Sequence, residues 1–345
     1  MIYQQQLRVP GPTPLPERVV RAASKPMIDH RGPEFAELLA DVTAGAKRVF
    51  ETDNDLLVVT ASGSGGLESA VANLVSPGDE VVAAMCGNFG ERFAGMAGAY
   101  GAQVIRLEAE WGQPVEPRDL AAVLEAHPQA GLVLLTHNET STGVTNGLAG
   151  LVRAAHDAGR LVAVDGVSSV SSIRMGVDAL GVDVAVSASQ KGWMAPPGIA
   201  FVTVNQRAWE VSERARSPRF YFDWRQARKH AQAGSTPWTP AVSVLYAVQE
   251  GIRMLEEEGL DRVYARHRQL ADATEAGLAA LGFQLFAAEG YRSATVTSAL
   301  PMPGLDVSAF RKLLRTRYGV VIAGGQGKMS GKMIRVGHLG AVAGG

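Results

Sequence analysis

Short apolar runs and longer amphipathic stretches alternate along most of the chain. Leu56 to Thr60, Glu80 to Met85, Ala102 to Leu107, Leu132 to Thr136 and Leu161 to Val164 are short, rich in valine or leucine, and bounded by turn residues. Such runs predict strands buried on both faces. Between them, Leu67 to Leu74, Asn88 to Tyr100, Pro117 to Glu125 and Leu148 to Ala158 predict helices. An earlier helix is predicted over Glu34 to Phe50, where Phe35, Leu38, Leu39, Val42, Ala46 and Val49 recur on one face. The alternation predicts an α/β fold with a mostly parallel, doubly covered sheet. Val182 to Val186 and Ile199 to Val204 extend it, and a helix is expected within Arg214 to His230. Two long helices follow, Ala241 to Glu257 and Leu260 to Leu281. The strands Phe283 to Phe286, Ala294 to Leu300 and Met333 to Val336, with a helix over Val307 to Tyr318, then predict a smaller α+β domain. The division expected is an extended segment over 1–16, which carries four prolines, a large domain over 17–245 and a small one over 246–345.

In sheets of this kind ligands sit beyond the carboxyl ends of the strands. Three of those ends carry candidate chemistry. Val184 to Gly198 reads VAVSASQKGWMAPPG and sets Lys191 between a hydrophobic strand and a Pro-Pro-Gly turn. One reading is a surface lysine on a turn. The other is a lysine held in a pocket, ready to form a Schiff base. Asp165 ends the run Leu161-Val162-Ala163-Val164-Asp165, either as a cap or as the carboxylate that keeps a pyridine nitrogen protonated. Ser62-Gly63-Ser64-Gly65-Gly66 follows the first strand, and a glycine-rich turn at a helix N-terminus offers N–H groups to a phosphate. The three together, in this order, are far more specific than any one alone.

These residues resemble a family. Val9-Pro10-Gly11-Pro12-Thr13, Asn138-Glu139-Thr140-Ser141-Thr142-Gly143, Ser189-Gln190-Lys191 with Pro196-Pro197-Gly198, and Arg335-Val336-Gly337-His338-Leu339-Gly340 are similar to the motifs of class V aminotransferases. These belong to the fold-type I pyridoxal-phosphate enzymes, with the aspartate-aminotransferase-like fold. Within the class the chain most resembles alanine–glyoxylate and serine–pyruvate or serine–glyoxylate aminotransferases. The resemblance implies pyridoxal 5'-phosphate on Lys191, with Asp165 at the pyridine nitrogen and the phosphate at Ser64, Gly65 and Gly66. It implies Phe89 on one face of the ring and Val167 on the other. Thr140 would lie near the 3-hydroxyl or the phosphate, and Gln190, beside the lysine, would also bind the cofactor. It places the substrate carboxylate on Arg335, and carries residues 1–16 across the active site into the smaller domain. It gives Thr239, with Thr236 beside it, a place at the neighbouring subunit's phosphate, so a homodimer with shared sites is expected. The activity implied moves the amino group of alanine or serine to glyoxylate or pyruvate. A class V relative that uses aspartate or another donor, and a pyridoxal-phosphate lyase, are the alternatives. No second arginine is obviously placed for a second substrate carboxylate, although Arg31 and Arg219 stay as candidates.

Composition narrows the partners. The 345 residues include 33 basic and 34 acidic ones, net charge -1, so nothing in the charge favours nucleic acid or an anionic membrane. The basic and aromatic stretch Arg214 to His230 is too short to change that, and suits a dimer contact or the active-site mouth. A single cysteine, Cys86, rules out an intramolecular disulfide and a cysteine metal cluster. No metal is expected. The sequence also lacks the late loop cysteine of cysteine desulfurases, which share the general fold. No run of about 18 uncharged apolar residues and no secretory signal is visible, so a cytoplasmic enzyme is expected. Family members often run longer past the arginine motif, so a further C-terminal piece is an open expectation. Gly324-Gly325-Gln326-Gly327-Lys328 does not match a nucleotide P-loop.

Overall fold

The computed structural model describes residues 5–343. The ends of the first and last expected segments, 1–4 and 344–345, therefore lie outside the described residues. A seven-stranded sheet forms the larger unit. Its spatial order is Asp55–Val59, Ala200–Val204, Val184–Ala188, Leu161–Asp165, Leu132–Thr136, Glu80–Met85, Gln103–Glu108. Ala200–Val204 runs antiparallel to both its neighbours, and every other pair is parallel. The reason is local: the chain enters that strand from Val184–Ala188 through a loop turned back by Pro196-Pro197-Gly198, with no crossover helix. The two reversals cancel. Val59, Ala188, Asp165, Thr136 and Met85 consequently end at one edge of the sheet.

The sheet is covered on both faces. Pro33–Phe50 buries Phe35, Val42, Ala46 and Phe50 completely on one side, each large side chain contributing roughly 1.5–3 kcal/mol. Gly63–Leu74 covers the other side and lies very close to it. A Cβ on Gly66 would stand 2.7 Å from Val186 and 2.9 Å from Ala200. Contact that close explains why the helix starts at Gly63 and not at Leu67. Glycine is a poor helix former, but here its missing side chain lets the first turn pack flat on the strands.

The smaller unit is a five-stranded sheet in the order Gln6–Arg8, Val320–Gly324, Ile334–Gly337, Val296–Leu300, Gln284–Leu285. Its first strand comes from the N-terminal segment and pairs in parallel with Val320–Gly324. The extended segment thus contributes a strand to the smaller sheet. Neither of these paired strands was foreseen individually. The expected division at 245/246 falls inside the helix Val242–Glu258, whose Leu245, Tyr246, Val248, Ile252 and Leu255 share the large core with Pro33–Phe50.

Arg214 to His230 holds a helix in its second half: Gln206–Arg214 ends at the start of the stretch, a loop carries Pro218, and Trp224–Gln232 begins anew. Pro218 lacks the N–H that a continuing helix needs. Asp223 then caps the second helix by accepting from the Arg225 N–H.

Candidate active site

The loop after Val184–Ala188 is pinned from several sides. Ser189 donates its hydroxyl to the Pro196 carbonyl at 2.6 Å and its N–H to Ile199. The buried indole of Trp193 donates to the Ser187 hydroxyl. The N-terminal segment crosses this loop. Thr13 N–H donates to the Gln190 carbonyl and its hydroxyl to the Lys191 carbonyl, while Lys191 Nζ donates to the Pro10 carbonyl at 2.5 Å. Gly11, between these contacts, has φ +117°, and a Cβ on it would fall 2.6 Å from Lys191 Nζ. Only glycine fits there. Lys191 is therefore not a surface lysine. Burial lowers its pKa to about 8, against the pull of Asp165 and with help from Arg335 and Arg92.

Asp165 is buried at the end of its strand. One carboxylate oxygen accepts from the Val167 N–H at 2.9 Å, and the other has no hydrogen-bond partner among the described residues. Burial pushes its pKa up to about 6, with the Val167 hydrogen bond opposing. Its charge and that of Lys191 act on each other. Val167 also packs on Gly63, where a Cβ would come within 2.8 Å of it. Ser62 caps the helix Gly63–Leu74, its hydroxyl accepting from the Gly65 N–H at 3.5 Å. Ser64 Oγ accepts from Arg92 at 3.4 Å. The Gly66 N–H is already committed to the Ser62 carbonyl, so Gly66 serves the packing of the helix and presents no free donor.

Phe89 stands in the first turn of Asn88–Ala99, with the Arg92 guanidinium 4.9 Å from its ring centroid. A buried carboxylate holds this turn. Glu139 accepts from the N–H groups of Phe89 and Gly90 and from both the N–H and hydroxyl of Ser141. Burial raises its pKa and these four donors oppose the rise. Thr140 follows, its hydroxyl donating to Ser168 Oγ. Gln190 Oε1 is buried without a partner among the described residues.

Lys191, Phe89, Thr140 and Arg335 line one cavity of about 370 Å³. Arg335 is buried and aimed by three acceptors: Gly324 O at 2.7 Å, Thr140 O at 3.0 Å and Gln326 Oε1 at 3.4 Å. Burial lowers its pKa to about 10, so it stays cationic at neutral pH. Arg311 and Arg315 line the same cavity, and the sequence reading missed both. Their spacing of four on a helix was the available signal, but any solvated helix face can show it. It also missed the roles of Pro10, Gly11 and Thr13, although their motif was visible.

The two arginines proposed for a second carboxylate are placed elsewhere. Arg219 is consumed by the carbonyls of Ala72, Ser212 and Ala215, and Arg31 donates to the Thr236 carbonyl. Thr236 is buried, with its hydroxyl on the Trp238 carbonyl, and Thr239 is exposed. Neither lines the Lys191 cavity of its own chain.

The family model "Aminotransferase class-V" matches residues 7–339. A protein of a Synechococcus strain described as the small subunit of a soluble hydrogenase is 41% identical over 97% of this chain and 88% of its own length. The serine–glyoxylate aminotransferase of Methylorubrum extorquens is 38% identical over 98% of this chain and 87% of its own. Among solved structures, alanine–glyoxylate aminotransferase from Nostoc sp. superposes with a TM-score of 0.96 at 31% identity, covering 99% of this chain and 92% of the other.

Proposed function

The chain belongs to the class-V aminotransferases, and on that premise we propose that it transfers the amino group of alanine or serine to glyoxylate or pyruvate, with Lys191 as the cofactor-bearing lysine. The cofactor of the family is pyridoxal 5'-phosphate, whose ring, when bound, takes up the electron pair left on the substrate Cα as its proton departs. The residues here fit it. The free oxygen of Asp165 suits a protonated ring nitrogen in an apolar setting. Phe89 and Val167 supply walls, and the Ser62-capped helix end with Ser64 and Gly65 suits a phosphate. The amine of Lys191 suits the covalent link.

The observation that carries the reading is the convergence of Lys191, with its lowered pKa, and the Arg335 fork on one cavity. Arg335 offers the substrate α-carboxylate its charge and the one outer nitrogen, Nη2, that its three acceptors leave free, which fixes how the amino acid lies. The Lys191 amine, when not linked to the cofactor, would serve as the base that takes the substrate Cα proton. Its lowered pKa makes the neutral amine available near neutral pH. Asp165 would keep the ring nitrogen charged, and the Pro10–Thr13 strap covers the lysine on one side. Alanine and serine need no side-chain cation, and the serine–glyoxylate and alanine–glyoxylate relatives support that pairing. The hydrogenase name belongs to the Synechococcus protein, and the residues of this cavity are those of amino transfer.

The assembly proposed is a homodimer. Thr239 is exposed, and the aromatic group Phe220, Tyr221 and Trp238 beside it leaves Phe220 78% exposed. An apolar patch of this kind suits a second copy, which would then receive Thr239 at its phosphate.

The deciding experiment is a half-reaction on the cofactor-loaded enzyme. Alanine or serine should discharge the visible absorbance of the lysine-bound cofactor and release a keto acid, and glyoxylate or pyruvate should restore it. A spectrum that no amino acid alters would overturn the assignment.

A further inference from the structure

The helix Val307–Tyr318 carries Arg311, Lys312, Arg315 and Arg317, and neither an aspartate nor a glutamate. Val307, Phe310 and Leu314 pack into the small core with Ile322 and Ile334. Ser308, Arg311, Lys312 and Arg315 fall at the spacing of a second face. That face borders two hollows. Arg311 and Arg315 line the cavity of Lys191 and Arg335. With Lys312 they also line a hollow of about 310 Å³, which shares Val321 and Ile322 with the first. No aspartate or glutamate lines either one. Among the described residues Arg311, Lys312 and Arg315 form no ion pair, and Arg311 Nε donates to the Ile322 carbonyl. Asp306, just before the helix, caps it by accepting from the Ala309 N–H. Lys312 and Arg315 are exposed, Arg311 is half-buried and Arg335 is buried, so positive charge leads from solvent to the site. One sign of charge left uncompensated beside a low-dielectric cleft focuses a field into it.

We propose that Arg311, Lys312 and Arg315 form an electrostatic funnel that draws the keto acid to the Lys191 cavity and favours its entry over that of the amino acid. The reason is net charge. Glyoxylate and pyruvate are monoanions at neutral pH, whereas alanine and serine are zwitterions of zero net charge. Both kinds present one carboxylate to Arg335, so that contact does not separate them. The two must enter the same cavity in turn, and a difference between them has to act outside the shared contact. A field at the mouth does so, because it pulls on the net charge of the arriving molecule. A cleft lined by one sign raises the local concentration and arrival rate of the opposite ion by roughly 10- to 1,000-fold at low salt. The inference rests on the aminotransferase reading above.

Stopped-flow half-reactions of the holoenzyme with glyoxylate and with L-alanine test it across added sodium chloride. Raising the salt from about 10 mM to about 0.3 M shortens the Debye length from about 30 Å to below about 10 Å. Chloride that competes for Arg335 weakens both substrates, so the ratio of kcat/KM for glyoxylate over alanine isolates the field. In wild type that ratio should fall at least about fivefold over this range. The double variant Lys312→Gln with Arg315→Gln changes only exposed side chains and should keep less than about half of that fall on a logarithmic scale. Arg315→Glu should lower the low-salt ratio more than Arg315→Gln does. A smaller wild-type fall, a double variant that keeps half or more of it, or the reverse order of the two Arg315 variants would overturn the funnel. A purely structural role for these side chains would leave the salt slope as it was. A second arm stays on one form of the loaded enzyme. The concentration of propionate, an anion, that perturbs the cofactor spectrum should rise with salt at least about threefold more than that of 2-aminoisobutyrate, a zwitterion with no Cα hydrogen to lose. Equal rises would also overturn the proposal. Should no amino acid discharge the band, the aminotransferase reading falls, while the salt slope for propionate, wild type against the double variant, still decides the funnel.

Discussion

Burial decides the chemistry of Lys191. Its pKa of about 8 in the fold lies below the ordinary lysine value of 10.5, so the folded chain sheds the proton first. Stability of the apoprotein should therefore rise as pH climbs from about 8 to 10.5, and the penalty for the buried charge should be present in full below that window. The same shift sets a rate. Uptake of pyridoxal phosphate by the apoprotein, followed in the visible band, should increase through pH 8, and a midpoint near 10.5 would show that the amine is solvated. Lys191→Ala should abolish turnover and the lysine-bound absorbance together. Asp165→Asn should keep the fold by circular dichroism yet slow the reaction by about 100- to 1,000-fold. An active variant would leave Asp165 only its hydrogen bond to Val167. Gly11→Ala is a sharper test of the strap. The added methyl meets Lys191 directly, and displacing that amine by about 1 Å should cost roughly 100-fold in kcat/KM. Activity within threefold of wild type would mean that the strap yields.

At the scale of elements, the helix Asn88–Ala99 is held at its N-terminus by a side chain from another part of the chain. Gly87, its cap, offers no side chain, and Glu139 substitutes by accepting two of the first N–H groups. Glu139→Gln turns an amide NH₂ towards donors that need an acceptor. The change should cost about 1–3 kcal/mol and lower the thermal midpoint by a few degrees. Because Phe89 is in that turn, cofactor affinity should fall as well. An unchanged midpoint in calorimetry, with unchanged cofactor affinity, would show that Glu139 does not hold the helix.

For the whole molecule, the proposed dimer ties assembly to activity. Sedimentation of the holoenzyme should give twice the 36.4 kDa mass of the chain. Phe220→Asp puts a charge into the aromatic patch and should shift the enzyme towards monomer, with activity lost in step as the concentration falls. A monomeric species of full activity would remove Thr239 from the site. Among the described residues no helix is long and apolar enough to cross a membrane.

What the sequence by itself determined was whatever depends on near neighbours. The valine-rich runs had to be buried strands, and Glu80–Met85, Leu132–Thr136 and Val307–Tyr318 appear with the limits their patterns predict. Strand-end positions for Asp165 and Lys191 followed from the same periodicity, because a strand's end and the turn after it are local events. The tertiary structure alone decided which groups meet. Gly63 to Gly66 became helix because two distant strands press on them, which propensity cannot register. Arg219 and Arg311 look alike in the sequence. One is consumed by backbone carbonyls and the other lines the Lys191 cavity, and only the placement of Val307–Tyr318 against Gly324 separates them. The fit of Gly11 on Lys191 has the same character. It joins residues about 180 positions apart, so the glycine's missing side chain acquires a purpose only when the chain has folded.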